Sequence, residues 1–519
     1  MGPGGRRRAG CGTSWRCCAR RWTRRSRCAA PPPARADPDL VRPAAGVAMS
    51  QRHRVASRTP AARRLLLATA VSLTATLPRW LPPAVVALRE RIFTRVNGDE
   101  GIEVPGRDVP VEDFKRVYGH PAANGRSEGA ALSDLFWYWL APGPEVHQEH
   151  LEPGSRYDEV ARTTRQILAR LSREEWALLV GRCTRRALDR LGPGPVRRTR
   201  LRDLMMPVWA EVYYELVFRE PCPPEARRLV VRNAEDVINA LKCTSLRHMD
   251  RRAELTRYLM DRLARGPLNP PLPAGLTPRE QAYYLQGTFF NTAVVQMSEG
   301  MAHLLLAIAT HPGVQDRLLA GPDGTAADGD AYLDHVIDET LRVWPLFGVA
   351  HRVTTADIPA RTARRCPGVG AAVQLRRLPA RGARGRGPLR PRPLGGARRP
   401  AAAPLHPFGV TANRPCPARG FATLTMRVAA REVLRRYRLD STAAHTRSLP
   451  SRGPCLLIAH RPYGDVGTYR ARRSLMRVRD RWEGVPRSVT QLVLGSYMVW
   501  DARRQGLCRT YFARKAGTR

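Results

Sequence analysis

The chain has 519 residues, 43% hydrophobic and 25% charged, which provides mass for one large domain or several ordinary ones and argues against both a polytopic membrane protein and a wholly disordered chain. Its 87 Lys+Arg against 45 Asp+Glu leave a formal net charge of +42, which at face value points to nucleic acid or another anionic surface. The distribution removes most of that signal: the net charge is +9 over residues 1–48, +4 over 49–357 and +29 over 358–519, so the long middle block is nearly neutral.

Residues 1–48 are rich in Arg, Cys and Pro and lack the apolar run of a secretory signal. A second Met at position 49 opens more ordinary sequence, so 1–48 reads as a mis-started or disordered tail. Residues 49–100 form an N-terminal apolar and linker segment. Its apolar run 65–77 follows Arg63 and Arg64 and is shorter than the ~20 residues that cross a bilayer. A helix packed on the core, or one dipping into a membrane surface, is expected there, interrupted at Pro82 and Pro83. The 11 cysteines show no C-x-x-C spacing, which argues against zinc fingers and disulfide frameworks and favours a reducing cytoplasm.

From 156 onward the pattern is helical. Segments 157–170, 174–191, 225–240 and 249–263 are amphipathic, and 201–218 is apolar nearly all round, as suits a core helix. Thr277, Pro278 and Glu280 make a capping signal before an unusually long apolar helix, 280–310, that ends at His311-Pro312. A helix over 330–345 (DAYLDHVIDETLRVWP) follows, in which Glu339 and Arg342 leave one face at i and i+3 and can pair.

Between Asp357 and Glu432 there is no acidic residue, and 360–403 has neither helical nor strand period. It reads as an out-of-frame translation inside a real gene. The other reading is a natural Arg/Gly/Pro-rich disordered insertion able to bind RNA, although it lacks the aromatics such segments stack on bases.

The stretch 407–418 (PFGVTANRPCPA) places an aromatic, a glycine turn and Arg414 ahead of Cys416, with a helix over 420–437 behind it. A cysteine entering a helix has its thiolate favoured by backbone N–H groups and the helix dipole, and an arginine two residues earlier can reach a ligand carboxylate. Holding haem iron by sulfur needs such an arrangement; a buried cysteine beside a basic turn fits the same residues.

In order, the long helix ending in His311-Pro312, DETLRVWP, His351-Arg352-Val353-Thr354 and the cysteine loop resemble the cytochrome P450 family over about 110–358 and 405–460. The resemblance implies a mainly α, P450-like fold with small β-sheets over 101–460, a late β-segment over 449–457 and a C-terminal extension over 461–519. It implies heme b (iron protoporphyrin IX) ligated by Cys416. Arg414 and Arg352 would contact its propionates, Phe408 would belong to the loop that holds it, and Arg165 is a further basic candidate, with His147 and His150 as alternatives or as solvated loop histidines. Glu339 and Arg342 would form the buried core pair, completed by an arginine within the unreadable stretch.

The activity implied is monooxygenation of an apolar small molecule with O2 and electrons from a ferredoxin and ferredoxin reductase or a similar donor. The chain would be a cytoplasmic monomer with peripheral membrane association as an option and no specific nucleic-acid partner. Phe289, Phe290, Val294 and the segments 137–140 and 213–218 would line the substrate pocket, or form core. Three departures stand out. Phe408 is one residue early, and Ala412 and Ala418 replace the loop's glycines. The usual acid–alcohol pair falls on Val295-Gln296, leaving Gln296 or Ser298 as substitutes. The third arginine lies in the unreadable segment. A haem-deficient or inactive P450-like chain is therefore the alternative function, and an Arg-rich nucleic-acid binder a remote one.

Overall fold

The computed structural model describes residues 60–97, 109–129, 131–320, 326–346, 351–359, 365–366, 408–409, 412–446, 449, 451–460 and 466–517. It divides into one unit up to Leu67 and a second over Ala68–Arg519. The tail 1–48 and, apart from Arg365–Cys366, the segment 360–403 lie outside the described residues.

In chain order the helices are α1 (Pro60–Asn97), α2 (Phe114–Tyr118), α3 (Ala131–Leu140), α4 (Ser155–Leu168), α5 (Arg173–Asp189), α6 (Leu201–Phe218), α7 (Pro224–Leu241) and α8 (Met249–Leu263). They continue as α9 (Pro278–Gly287), α10 (Val294–Thr310), α11 (Pro312–Leu319), α12 (Ala326–Val343), α13 (Ala422–Arg436), α14 (Val466–Gln505) and α15 (Leu507–Gly517). A π-helical turn over Thr288–Ala293 joins α9 to α10 into one 33-residue helix, Pro278–Thr310. Among the described residues this is the one helix long and apolar enough to cross a membrane, and 78% of its most apolar window is buried, so it serves as the core helix.

Local chemistry explains the ends. Glu280 N–H donates to Thr277 Oγ1 at 3.3 Å and Thr277 N–H to Glu280 Oε2 at 2.9 Å, the reciprocal cap expected of that sequence. Ser172 and Glu175 repeat the device at α5. The central helix packs on α6, whose Trp209, Met205 and Leu216 are fully buried, as are Leu304, Leu305 and Ile308 on α10. Burying a large apolar side chain stabilises by roughly 1.5–3 kcal/mol, so this seam is the centre of the fold.

The strands are few. β1 (Val196–Arg200), β4 (Tyr437–Asp440) and β5 (Pro454–Ala459) form an antiparallel sheet in the order β1-β5-β4, with Thr199 opposite Cys455 and Leu439 opposite Leu457. β2 (Ile358–Pro359) pairs with β3 (Arg365–Cys366), and Val353 bridges to Gly125. The late β-segment expected over 449–457 overlaps β5 over 454–457, and the strand runs on to Ala459.

Two expectations at the chain's ends need correction. α1 runs through Pro78, Pro82 and Pro83 rather than breaking there. A proline removes a helical hydrogen bond and crowds the preceding turn, but from Ala68 onward α14 runs alongside: a Cβ on Gly484 would lie 3.6 Å from Pro82 Cγ and one on Gly495 3.7 Å from Arg89 Nε. That tertiary support outweighs the local penalty. The C-terminal helix, expected over 488–512, starts at Val466 and stops at Gln505, where Gly506 (φ 50°) turns the chain into α15.

Candidate functional site

The cysteine loop is built from its own backbone. The Cys416 N–H donates to the Phe408 carbonyl at 2.9 Å, closing the turn in which Gly409 takes φ 75° and Arg414 φ 49°. The early position of Phe408 is thus accommodated, with its carbonyl as the loop's clasp. Asn413 ties the loop to the neighbouring turn, its Nδ2 donating to the carbonyls of Tyr118 (3.1 Å), His120 (3.2 Å) and Ala123 (2.9 Å). Sequence reading missed Asn413, which carries no periodic or motif signal of its own.

Cys416 is half-buried. Burial pushes its thiol up, the Ala418 N–H that hydrogen-bonds to it pulls it back, and Glu149 nearby pushes it up again; the balance is raised. The expected helix-start activation is therefore outweighed: α13 begins only at Ala422, and desolvation of the thiolate dominates.

Around the loop lies a set of three arginines. Arg352 is 4% exposed, its guanidinium 4.6 Å from the Tyr118 ring centroid. Arg414 stands 4.0 Å over Tyr157, donates from Nη1 to the Gln148 carbonyl at 3.3 Å and from Nε to Asn124 Oδ1. Arg126 donates from Nη1 to the His351 carbonyl at 2.8 Å. No ion pair engages these three arginines among the described residues. Burial holds Arg352 down to about 9 and Arg414 down to about 10, and in both cases Arg126 adds repulsion. Buried and hydrogen-bond-orphaned are Arg352 Nε, Arg414 Nη2, Gln148 Oε1, His147 Nε2 and both ring nitrogens of His150.

His147 and His150 are each 3% exposed, so the solvated-loop reading is overturned. Burial lowers His147 to about 4 and His150 well below its ordinary value, the latter also repelled by His147, Arg126, His351 and Arg414. The orphaned N–H groups of Arg352 and Arg414 are buried cationic donors, costly unless an anion completes them. The donor set fits two carboxylates beside a thiolate-held iron.

The other predicted residues fare differently. Arg165 is exposed on α4 and its side chain does not join the cluster. Helical periodicity explains this: Val160, Ala161, Thr164, Ile167 and Leu168 take the inner face. Glu339 and Arg342 pair through two 2.7 Å contacts, but the Arg342 side chain is 41% exposed. The expected buried pair is a surface-accessible one, and the region assigned its third partner lies outside the described residues.

Ser298 is buried and donates to the Val294 carbonyl at 2.6 Å, which occupies its proton within the helix. Gln296 donates from Nε2 to Glu149 Oε1 at 3.4 Å. Glu299, a buried acid on the same helix, is held by Arg202 (2.7 Å) and Lys242 (2.9 Å).

The supposed pocket aromatics are core. Phe290 stacks on Phe218 at 6.2 Å and Phe289 contacts Tyr213 at 6.3 Å, while Trp137 meets Tyr511 and Phe512 of α15. A separate open depression of about 660 Å³, lined by Gln166, Arg170, Arg219 and Asn269 among others, does not include the cysteine loop. Missed in sequence were Arg126 and the ring of His351, which is 3% exposed and bonded to the Arg126 carbonyl at 2.7 Å. Their only signal was adjacency, His351 preceding Arg352 in the motif.

Among solved structures, the chain is similar to cyanobacterial CYP120A1 with bound retinoic acid (16% identity, 66% of this chain and 86% of that one, TM-score 0.52). It is also similar to a variant of cytochrome P450 OleT in complex with arachidonic acid (11% identity, 68% and 88%, TM-score 0.50). No family model and no curated protein matches the sequence. The chain has the cytochrome P450 fold, mainly α with small β-sheets, and the resemblance read from the motifs holds at that level.

Proposed function

We propose that this chain is a haem-thiolate protein of the monooxygenase type, binding iron protoporphyrin IX and oxidising an apolar small molecule with electrons from a ferredoxin-type donor. The observation that carries this reading is the pair of buried guanidiniums, Arg352 and Arg414, beside the Cys416 loop, each with an orphaned nitrogen and no ion pair among the described residues. Cys416 would supply the metal ligand, with the Ala418 N–H on its sulfur tempering the charge. Arg352 and Arg414 would hold the propionates, and His147 and Arg126 border the same region. When bound, the haem activates O2 for insertion into a C–H bond. Gln296, anchored on Glu149, is the central-helix polar side chain able to hold a proton-carrying water; Ser298 has its hydroxyl engaged by Val294. That two neighbours of like fold hold retinoic acid and arachidonic acid agrees with an apolar substrate.

A second reading, a chain that binds haem poorly or does not turn over, is favoured by one observation: neither an acid nor a free alcohol stands at Val295-Gln296. The carbon-monoxide difference spectrum of the reduced, haemin-reconstituted chain separates the two. A thiolate-type band that disappears in Cys416→Ser supports the first; a bound pigment spectrally unchanged by that substitution overturns it.

A further inference from the structure

We propose that the outward face of α14 docks on an anionic lipid bilayer. Leu475, Val478, Trp482, Val489, Val493, Tyr497 and Trp500 follow one another at three-, four- and seven-residue steps and are all exposed, from 42% at Trp482 to 62% at Leu475. At 100° per residue they fall on one stripe. The residues that α14 buries against the rest of the fold, Met476, Ser488, Met498 and Ala502, lie on the opposite side. The stripe is therefore a second apolar face, not the edge of the packed one.

Charge chooses the occupant. Arg470, Arg472, Arg477, Arg479, Arg481 and Arg504 are exposed along the same helix, whose acids are limited to Asp480, Glu483 and Asp501. Among the described residues no ion pair engages Arg470, Arg477, Arg479 or Arg481. An apolar stripe carrying Trp and Tyr and bordered by Arg472, Arg479 and Arg504, each within about 80° of its centre, matches a headgroup layer over acyl chains, where the rings sit at the boundary and the guanidiniums meet lipid phosphates. α1 touches α14 from its other side, where Pro82 and Arg89 meet Gly484 and Gly495, and leaves the stripe uncovered. This surface involves none of the residues of the proposed haem site.

The test is flotation of the full chain with phosphatidylcholine vesicles, with and without phosphatidylserine. Phosphatidylserine vesicles are expected to carry the protein, less so as salt rises, and Trp482→Glu/Val493→Glu is expected to weaken binding at least about tenfold with an unchanged circular-dichroism melt. Arg472→Glu/Arg479→Glu/Arg504→Glu should remove the phosphatidylserine preference. No flotation, flotation unaffected by the stripe variant, or a concentration-dependent dimer that this variant makes monomeric would each overturn the assignment, the last by giving the face to a second copy.

Discussion

His147 and Gly287 are fitted to each other: a Cβ on Gly287 would lie 1.7 Å from His147 Nε2. The absence of a side chain at 287, one residue before the π turn, lets the imidazole lie against the central helix. Gly287→Ala must displace a fully packed ring and is expected to destabilise the chain by about 1–3 kcal/mol in urea unfolding. His147→Ala should relieve much of that cost, so a double-mutant cycle reads the coupling directly; additive effects would show that the two do not touch.

The cluster of arginines predicts opposite signs for stability and binding. Arg352→Met removes a buried guanidinium with no counter-charge, so the haem-free chain is expected to gain about 1 kcal/mol or more. Haem affinity, followed by Soret titration, is expected to fall by about tenfold, as loss of a charge-assisted contact implies. The sign with pH is fixed: the folded-state value of about 9 lies below the ordinary 12.5. The penalty is therefore whole at neutral pH and relieved only as pH rises above about 9.

Acid should unfold this chain through neutral buried histidines. Burial, with His303 and His311 beside it, holds His445 at about 2, while its Nε2 meets His303 Nδ1 at 2.9 Å and Trp344 stacks on it at 3.5 Å. Burial holds His351 at about 3. Each binds a proton in the unfolded chain near 6.5 but not in the folded one. Stability is therefore complete above that pH and falls below it, by up to about 1.4 kcal/mol per pH unit for each group. The denaturant midpoint should fall as pH drops from 7 to 4, and His445→Phe should flatten that dependence.

Glu299 balances two cations. Burial raises its carboxyl, but Lys242 and Arg202 outweigh that and leave it lowered; burial, with Arg202 repulsion, brings Lys242 down to about 8. Glu299→Gln removes the carboxylate shared by both cations, leaving Asp203 at 4.0 Å from Arg202, and is expected to cost about 3–5 kcal/mol, measured by urea unfolding at pH 7. The contribution of Glu299 is present above the ordinary carboxylate range and lost as pH falls through its depressed value, so the gap between wild type and variant should narrow in strong acid.

Helices were the legible part of this chain. The bounds 201–218 and 249–263 match α6 and α8 as read from periodicity, and the cap at Thr277 marked the central helix's start. Those signals are local: a 3.6-residue apolar repeat and a side chain bonding to a nearby N–H need no distant partner. Cys416, Arg414 and Arg352 could be named from motif order, yet their motifs did not disclose Arg126, Asn413 or the burial of His147 and His150. Arg165 was placed by helix membership, and its face was misjudged.

By itself the sequence determined where most of the middle helices form, which of them is the core, and which cysteine precedes the late helix, because these follow from spacing and from groups a few residues apart. Tertiary structure alone decided that three arginines converge with no ion pair among the described residues, that His147 and His150 are buried beside them, and that a proline-bearing α1 stays helical beside α14. Each of these depends on contacts between residues tens to hundreds of positions apart or on the competition between burial and hydrogen bonding, and neither leaves a periodic trace in the chain.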